Sequence, residues 1–216
     1  MAEAIIARRG GAGEVIVEFE SFTPSNVVVV YHPDGELVQT TPTALSVGRD
    51  SLAGASVGNY ALFAGGYDGG HRSTVDAYNT SLVRSTPTAL SVARRDCAGA
   101  SVGNYALFAG GIAGISGNYR NTVDAYNTDL VRSTPTALSV ARHRLVGVSV
   151  GNFALFAGGY DGSYRSTVDA YNTDLVRSTP TALSVARREL AGAGVGNFAL
   201  FAGGYGSSPT YKDTVD

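Results

Sequence analysis

Residues 104–111 read Asn-Tyr-Ala-Leu-Phe-Ala-Gly-Gly, a short apolar run that stops at a glycine pair, and the chain repeats it. Phe-Ala-Gly-Gly occurs at residues 63–66, 108–111, 156–159 and 201–204, in steps of 45, 48 and 45. Thr-Val-Asp begins at Thr74, Thr122, Thr167 and Thr214, and Pro-Thr-Ala-Leu-Ser at Pro42, Pro87, Pro135 and Pro180. Self-similarity at a fixed period of this length is the signature of a repeat architecture.

Each unit divides into four short strands, a to d. Residues 97–103 (CAGASVG) are small and apolar, as a crowded strand a requires. Residues 104–111 form strand b and end where the glycine pair turns the chain. Residues 122–127 (TVDAYN) alternate across a pleat as strand c, Asn127-Thr128-Asp129 is turn chemistry, and residues 130–134 (LVRST) return as strand d. The connection Pro135 to Arg142 is too short for a packed helix. No segment sustains a helical apolar period, which excludes helical solenoids. Four small antiparallel strands per unit predict an all-β propeller of four recognisable repeats of 45–48 residues.

The unit resembles a kelch repeat. Leu107-Phe108-Ala109-Gly110-Gly111, Val123-Asp124-Ala125-Tyr126 and Arg142 match its apolar strand with a glycine pair, its strand ending in Tyr, and its Arg before the next blade. Kelch units usually carry a Trp after the Tyr; this chain has none, and Leu130 and Val131 stand nearest that place. The resemblance implies a kelch-like β-propeller of four-stranded blades over residues 26–216. Residues 1–25 stand apart as an extension with a hinge at Gly10-Gly11-Ala12-Gly13 and a short strand around Val15, Val17 and Phe19. The opening MAEAIIARRGG is similar to the short openings of some phage tail and baseplate proteins.

Ring closure is contested in the sequence. Thr214-Val215-Asp216 begins a fourth strand c, while Asn26 to Tyr31 reads as another strand c followed by a strand d at Glu36 to Thr41. Two segments compete for one place: either the N-terminal strand c wins and the C-terminal one is displaced, or further blades follow Asp216. Kelch-like rings usually have more than four blades, so the propeller is expected to be incomplete at its C-terminus. Its open strand edge invites self-association.

Composition narrows the function. Hydrophobic residues make up 44% of the 216 and charged residues 16%, which suits a packed core with sparse surface charge. The net charge of −2 argues against a nucleic-acid footprint. No apolar run approaches the length of a membrane span, and Met1 to Glu14 does not read as a secretory signal. The lone Cys97 takes the place of Leu52, Leu145 and Leu190 and reads as a buried hydrophobe. His32, His71 and His143 fall at different repeat positions, so no metal or other cofactor is expected. No nucleophile elbow or phosphate loop appears.

Two classes of polar residue remain. Arg49, Arg94, Arg142 and Arg187 precede strand a, and Asp76, Asp124, Asp169 and Asp216 lie in strand c. Their presence in every unit predicts an architectural role, tying the blades by ion pairs. Tyr78, Tyr126 and Tyr171 are expected to bury their rings with the hydroxyls partnered. Phe63 and Phe108 are expected to have equivalent environments.

The segments between strands b and c vary instead: YDGGHRS (67–73), IAGISGNYRN (112–121), YDGSYRS (160–166) and YGSSPTYKD (205–213). In an up-and-down blade these loops and the d–a connections emerge on one side. That side gathers Tyr67, Asp68, His71, Arg72, Tyr119, Arg120, Tyr160, Asp161, Tyr164, Arg165, Tyr205 and Tyr211 as candidate ligand-binding residues, with a protein or glycan as partner. The function expected is non-enzymatic recognition or structure, with a phage tail or other virion component as its most specific form. A bacterial kelch-repeat interaction protein is the alternative, and a galactose-oxidase-like enzyme remnant a more distant one.

Overall fold

The computed structural model describes residues 41–114, 118–208 and 210–216, and the backbone of residues 8–9 and 15–16. Arg8–Arg9 (β1) pairs antiparallel with Val15–Ile16 (β2), where the sequence predicts an N-terminal strand. The competing segments at 26–31 and 36–40 lie outside the described residues.

The repeats become blades. Blade I is β3 (Ala53–Val57), β4 (Tyr60–Ala64), β5 (Val75–Asn79) and β6 (Arg84–Ser85). Blade II is β7 (Ala98–Val102), β8 (Tyr105–Ala109), β9 (Val123–Asn127) and β10 (Arg132–Ser133). Blade III is β11 (Val146–Val150), β12 (Phe153–Ala157), β13 (Val168–Asn172) and β14 (Arg177–Ser178). Each is an up-and-down antiparallel sheet. In the fourth unit β15 (Arg187–Arg188) pairs with β18 (Tyr205–Gly206), and β16 (Ala191–Val195) with β17 (Phe198–Ala202). Val215 bridges to Ala202, and Phe201 and Asp216 exchange both backbone hydrogen bonds at 2.9 and 3.0 Å. The C-terminal residues therefore take the strand c place of blade IV.

Strand d is shorter than the sequence predicts. Asn127 Oδ1 accepts the backbone N–H of Asp129 and Val131, which fixes the turn and puts Leu130 at φ 60°. Only two residues pair before Pro135 follows. Leu130 then packs against the core between blades I and II, while Val131 is exposed. Of the two residues nearest the place of the usual Trp, Leu130 alone packs into that joint.

Each sheet has two unlike faces. One carries Leu62, Ala64, Val75 and Ala77 in blade I; the other carries Ala106, Phe108 and Tyr126 in blade II, and the two meet in one buried cluster. The same contact recurs between blades II and III, with Leu107 and Val123 against Ala154, Phe156 and Tyr171. The innermost strands approach closely because glycine faces the neighbour. A Cβ on Gly99 would lie 2.1 Å from the Gly54 carbonyl oxygen, and one on Gly147 would lie 2.2 Å from that of Gly99. Serines then link the inner strands: Ser56 N–H donates to Ser101 Oγ at 3.1 Å and Ser101 N–H to Ser149 Oγ at 2.7 Å.

The repeated Arg and Asp do meet, at 2.9, 2.8, 2.8 and 2.7 Å in the four units. Each pair lies within one unit rather than bridging two blades. Arg142 also donates to the carbonyls of Gly158, Val140 and Phe156 at 2.8, 3.0 and 3.0 Å. The blades are joined by backbone: Leu90 and Arg94 N–H donate to Ser73 and Arg72 of blade I, while Ser91 donates to Asp124 of blade II. The Tyr126 hydroxyl donates to the Thr88 carbonyl at 2.7 Å, the buried ring with a partnered hydroxyl that the sequence predicts.

Phe63 and Phe108 are not equivalent. Phe108 is fully buried against blade I, whereas Phe63 heads the arc and is only half-buried. Phe108→Ala is expected to cost about 3–5 kcal/mol and Phe63→Ala about half of that, as read by denaturant unfolding. Gly99→Ala is expected to cost about 3 kcal/mol or more, because the neighbouring backbone cannot give way. Gly54→Ala, whose Cβ would make only ordinary contacts with Phe63 at 3.7 Å and the Leu62 carbonyl at 3.9 Å, should stay within about 0.5 kcal/mol of the parent. Equal losses at Gly54 and Gly99 would contradict the inner-strand packing.

Candidate functional site

The variable loops fold as small hairpins at one mouth of the propeller, each docked on the d–a connection of its own unit. Asp50 bridges to Tyr67 and Tyr67 to His71 in blade I; Arg95 to Ile112 and Ile112 to Tyr119 in blade II. His143, Tyr160 and Tyr164 form the same trio in blade III, and Tyr205 bridges to Tyr211 beside β15 in blade IV. The backbone thus holds three variable side chains per blade at a fixed spacing.

Those side chains reach across blade boundaries. The Arg95 guanidinium lies over the Tyr67 ring at 4.5 Å, and His143 stacks on Tyr119 at 5.2 Å between ring centroids. Arg188 lies among three rings, 4.9 Å from Tyr160, 5.1 Å from Tyr205 and 5.7 Å from Tyr164. Tyr119 meets Tyr160 edge-on, Tyr164 lies tilted against Tyr205, and Tyr205 meets Tyr211 edge-on. A near-continuous aromatic and cationic row runs from Tyr67 to Tyr211. Each guanidinium–ring contact contributes about 0.5–1 kcal/mol or more at these half-buried sites.

Inside the row lies a cavity of ≈ 300 Å³ lined by Ser51, Leu52, Asp96, Cys97, Arg144, Leu145 and Glu189. Its rim residues Ser51, Asp96, Arg144 and Glu189 hold φ of 54°, 53°, 53° and 55°, a region disfavoured for side chains other than glycine. Backbone bonds hold them there: Asp96 N–H donates to Ser51 O, Arg144 N–H to Asp96 O and Glu189 N–H to Arg144 O, each at 3.0 Å. The rim alternates in charge. Arg144 pairs with Glu189 at 2.6 Å, and His143 Nδ1 lies 3.5 Å from Asp96. Burial works to raise the Asp96 carboxyl, but His143, Arg144 and Arg95 outweigh it and hold it below the usual carboxylate value. Burial, aided by Arg95, lowers His71.

Of the residues expected from sequence, Tyr67, His71, Tyr119, Tyr160, Tyr164, Tyr205 and Tyr211 join the row. Asp68, Arg72, Asp161 and Arg165 turn instead to each other. Arg72 Nε donates to Asp68 at 2.7 Å and Arg165 Nε to Asp161 at 2.9 Å, so these pairs pin their own loops. Arg120 holds the corresponding place in blade II, where Ala113 replaces the aspartate, and its buried Nε has no hydrogen-bond partner among the described residues.

Arg95, Asp96, Arg144, Arg188 and Glu189 were not among the expected site residues. A signal existed: the two residues after the repeated Arg vary (Asp-Ser, Arg-Asp, His-Arg, Arg-Glu) inside a segment that otherwise hardly changes. Cys97 sits at the cavity floor as a buried thiol raised by desolvation, matching the apolar slot expected for it. Among the described residues, no group of three or more His, Cys, Asp and Glu is placed to hold a metal ion. Among the described residues, no helix is long and apolar enough to cross a membrane.

No protein-family model matches the chain, and no curated protein matches it. Among solved structures, that of YjhT is similar, with a TM-score of 0.64 at 13% identity, covering 79% of this chain and 64% of that one. The fold is an all-β propeller. The chain spans less than two thirds of the length of that structure, and the likeness is one of fold alone.

Asp96 on the rim and Asp169 in the clamp of blade III give the fold an acid limb. Burial works to raise Asp169 too, and Arg142, the Ser139 backbone and Arg177 outweigh it. A depressed carboxyl means that the folded state binds fewer protons, so its stabilisation is present above the ordinary value of 3.8 and is lost as pH falls through the folded value. Denaturant unfolding at successive pH values should show stability falling below 3.8, with a shallower fall in Asp96→Asn. Identical slopes would remove Asp96 from the rim network.

Proposed function

We propose that this propeller is a non-enzymatic recognition module that binds a protein or glycan partner across the mouth formed by its b–c loops and d–a connections. The observation that carries this reading is the row from Tyr67 to Tyr211, with Arg95 and Arg188 among the rings. Flat rings and planar guanidinium groups present large contact areas at low conformational cost, and both peptide and sugar surfaces use them. The backbone hairpins support it further, since the side chains are already in place before a partner arrives. Among the described residues, the opposite mouth carries short turns such as Asn127 to Leu130, which scarcely vary between units.

We place the module in a kelch-like family of propellers, and in a phage tail or other virion component as its setting. The repeat motif supports the first, and the likeness of MAEAIIARRGG to phage tail openings supports the second. A glycan array and a displayed-peptide library, probed with the same protein, test the binding and separate the two partner classes. Changing Tyr164, Arg188 and Tyr205 together to Ala should lower affinity by at least about 30-fold, the scale of a lost hot spot. A matched set at Thr80, Thr128 and Thr173, in the turns of the other mouth, should leave it unchanged. Binding that survives the first set and fails with the second would assign the face to the wrong mouth.

A further inference from the structure

We propose that Arg120 and Ala113, in the b–c loop of blade II, form a seat for a carboxylate, the Asp or Glu side chain of a protein partner. The choice of partner rests on the mouth being the recognition face. Two sister loops show the seat occupied. In blade I, Arg72 Nε donates to one oxygen of Asp68 at 2.7 Å and Nη2 donates to the other. In blade III, Arg165 Nε donates to Asp161 at 2.9 Å, and Nη2 again completes the fork. Two parallel bonds from a guanidinium to a carboxylate are strong and geometrically selective. The Arg72 hydrogen bond holds the Asp68 carboxyl below its usual value, so the seat favours the charged form.

Blade II keeps this frame and lacks the acid. Arg120 N–H donates to the Gly111 carbonyl at 2.9 Å, the same distance as Arg72 to Gly66 and Arg165 to Gly159. The Arg120 carbonyl accepts from Arg142 N–H at 3.0 Å, as Arg72 does from Arg94 at 2.9 Å and Arg165 from Arg187 at 3.0 Å. Ile112 bridges to Tyr119 as Tyr67 does to His71 and Tyr160 to Tyr164, which puts Ala113 where Asp68 and Asp161 stand. The loop cannot supply a replacement, because residues 112–121 contain no Asp or Glu. The other three b–c loops each balance one acid against one Arg or Lys, so the charge of Arg120 is the uncompensated one. Among the described residues, its half-buried side chain joins no ion pair and its buried Nε has no hydrogen-bond partner. A buried donor without an acceptor is costly, and an incoming carboxylate removes that cost. The neighbouring Tyr119 stacks with His143, so the seat adjoins the aromatic row. Both sister seats hold an aspartate carried on a bridged hairpin, which favours a peptide acid over a sugar acid.

Arginine Nε–H NMR of the full chain tests the seat, with acetate as the probe and chloride to hold the ionic strength. The Arg120 signal, assigned from its loss in Arg120→Lys, should shift saturably with a Kd of roughly 10–100 mM, the scale of one charge-assisted fork in water. Ala113→Asp should weaken acetate binding at least about 10-fold by filling the seat from within the chain, with no fall in melting temperature. Asp68→Ala should empty the sister seat and give Arg72 the same response, a result that stands even where Ala113→Asp does not fold. An Arg120 signal that moves no more than that of Arg72 in the parent overturns the seat, as does an Asp68→Ala protein in which Arg72 stays silent. A displayed-peptide library then reads the partner. Peptides held by the parent should be enriched in Asp and Glu, and Ala113→Asp should lose that enrichment. Capture of acidic glycans in place of acidic peptides overturns the choice of partner. An acetate response with library and glycan array both silent strikes the recognition reading, and the partner with it, but not the seat.

Discussion

A buried guanidinium in every unit is the constraint around which each blade is organised. Arg94, Arg142 and Arg187 are 0% exposed, and an unpaired charge at that depth would be strongly destabilising. The structure meets the requirement with a carboxylate and several carbonyls. Arg142 shares its donors among Asp169, Gly158, Val140 and Phe156, which belong to strand c, to the end of strand b and to the connection. One planar cation thereby fixes the relative positions of three segments that are far apart in sequence. The aspartate works in both directions, since Asp169 also accepts from Ser139 and Arg177. Replacing the pair by apolar residues would keep the volume but release the connection, and the connection carries the backbone bonds that join one blade to the next.

From this clamp the mouth follows. With the connection fixed, residues just after the Arg must pass from the clamp to strand a in a very short space. They do so through a left-handed residue at Ser51, Asp96, Arg144 or Glu189, and at the last three a hydrogen bond to the preceding blade holds that conformation. The strained residue therefore sits on the rim at every blade, with its side chain free to vary. The residue before it pairs with the b–c hairpin and projects across the blade boundary. Variation in these two positions and in the hairpin changes the surface chemistry of the mouth without touching the clamp.

Much of this was legible in the sequence. Strands a, b and c fall within a residue or two of where the repeat places them, because the apolar alternation and the turn glycines mark their ends. The inner-strand crowding was visible in the small residues of CAGASVG. Strand d was overextended, since LVRST has good strand chemistry but Leu130 is spent on the turn and on the gap between blades. The Arg–Asp pairs were foreseen as bonds between blades, but the clamp lies within a unit and the blades are joined through backbone. The rim residues were missed because they belong to a segment that looks invariant, and only the fold shows that two of its positions point to the mouth. The loop pairs Asp68–Arg72 and Asp161–Arg165 were read as ligand-binding groups, whereas spacing of four residues in a tight hairpin lets them satisfy each other.

The stacking of the blades, rather than the clamp, explains why near-identical units give unlike environments. An interior blade is defined by both neighbours, so its Phe and its Leu are buried by different partners. Among the described residues, each end of the arc lacks one of them. Identical sequence therefore yields Phe108 in a closed core and Phe63 half-open, and Leu107 sealed while Leu200 is 39% exposed. Local rules cannot produce that difference, because propensity, alternation and turn chemistry are the same in each copy. It arises only from position in the stack. The exposed apolar area is a property of the arc as a whole, and the residues that make it are the ones that hold the interior together.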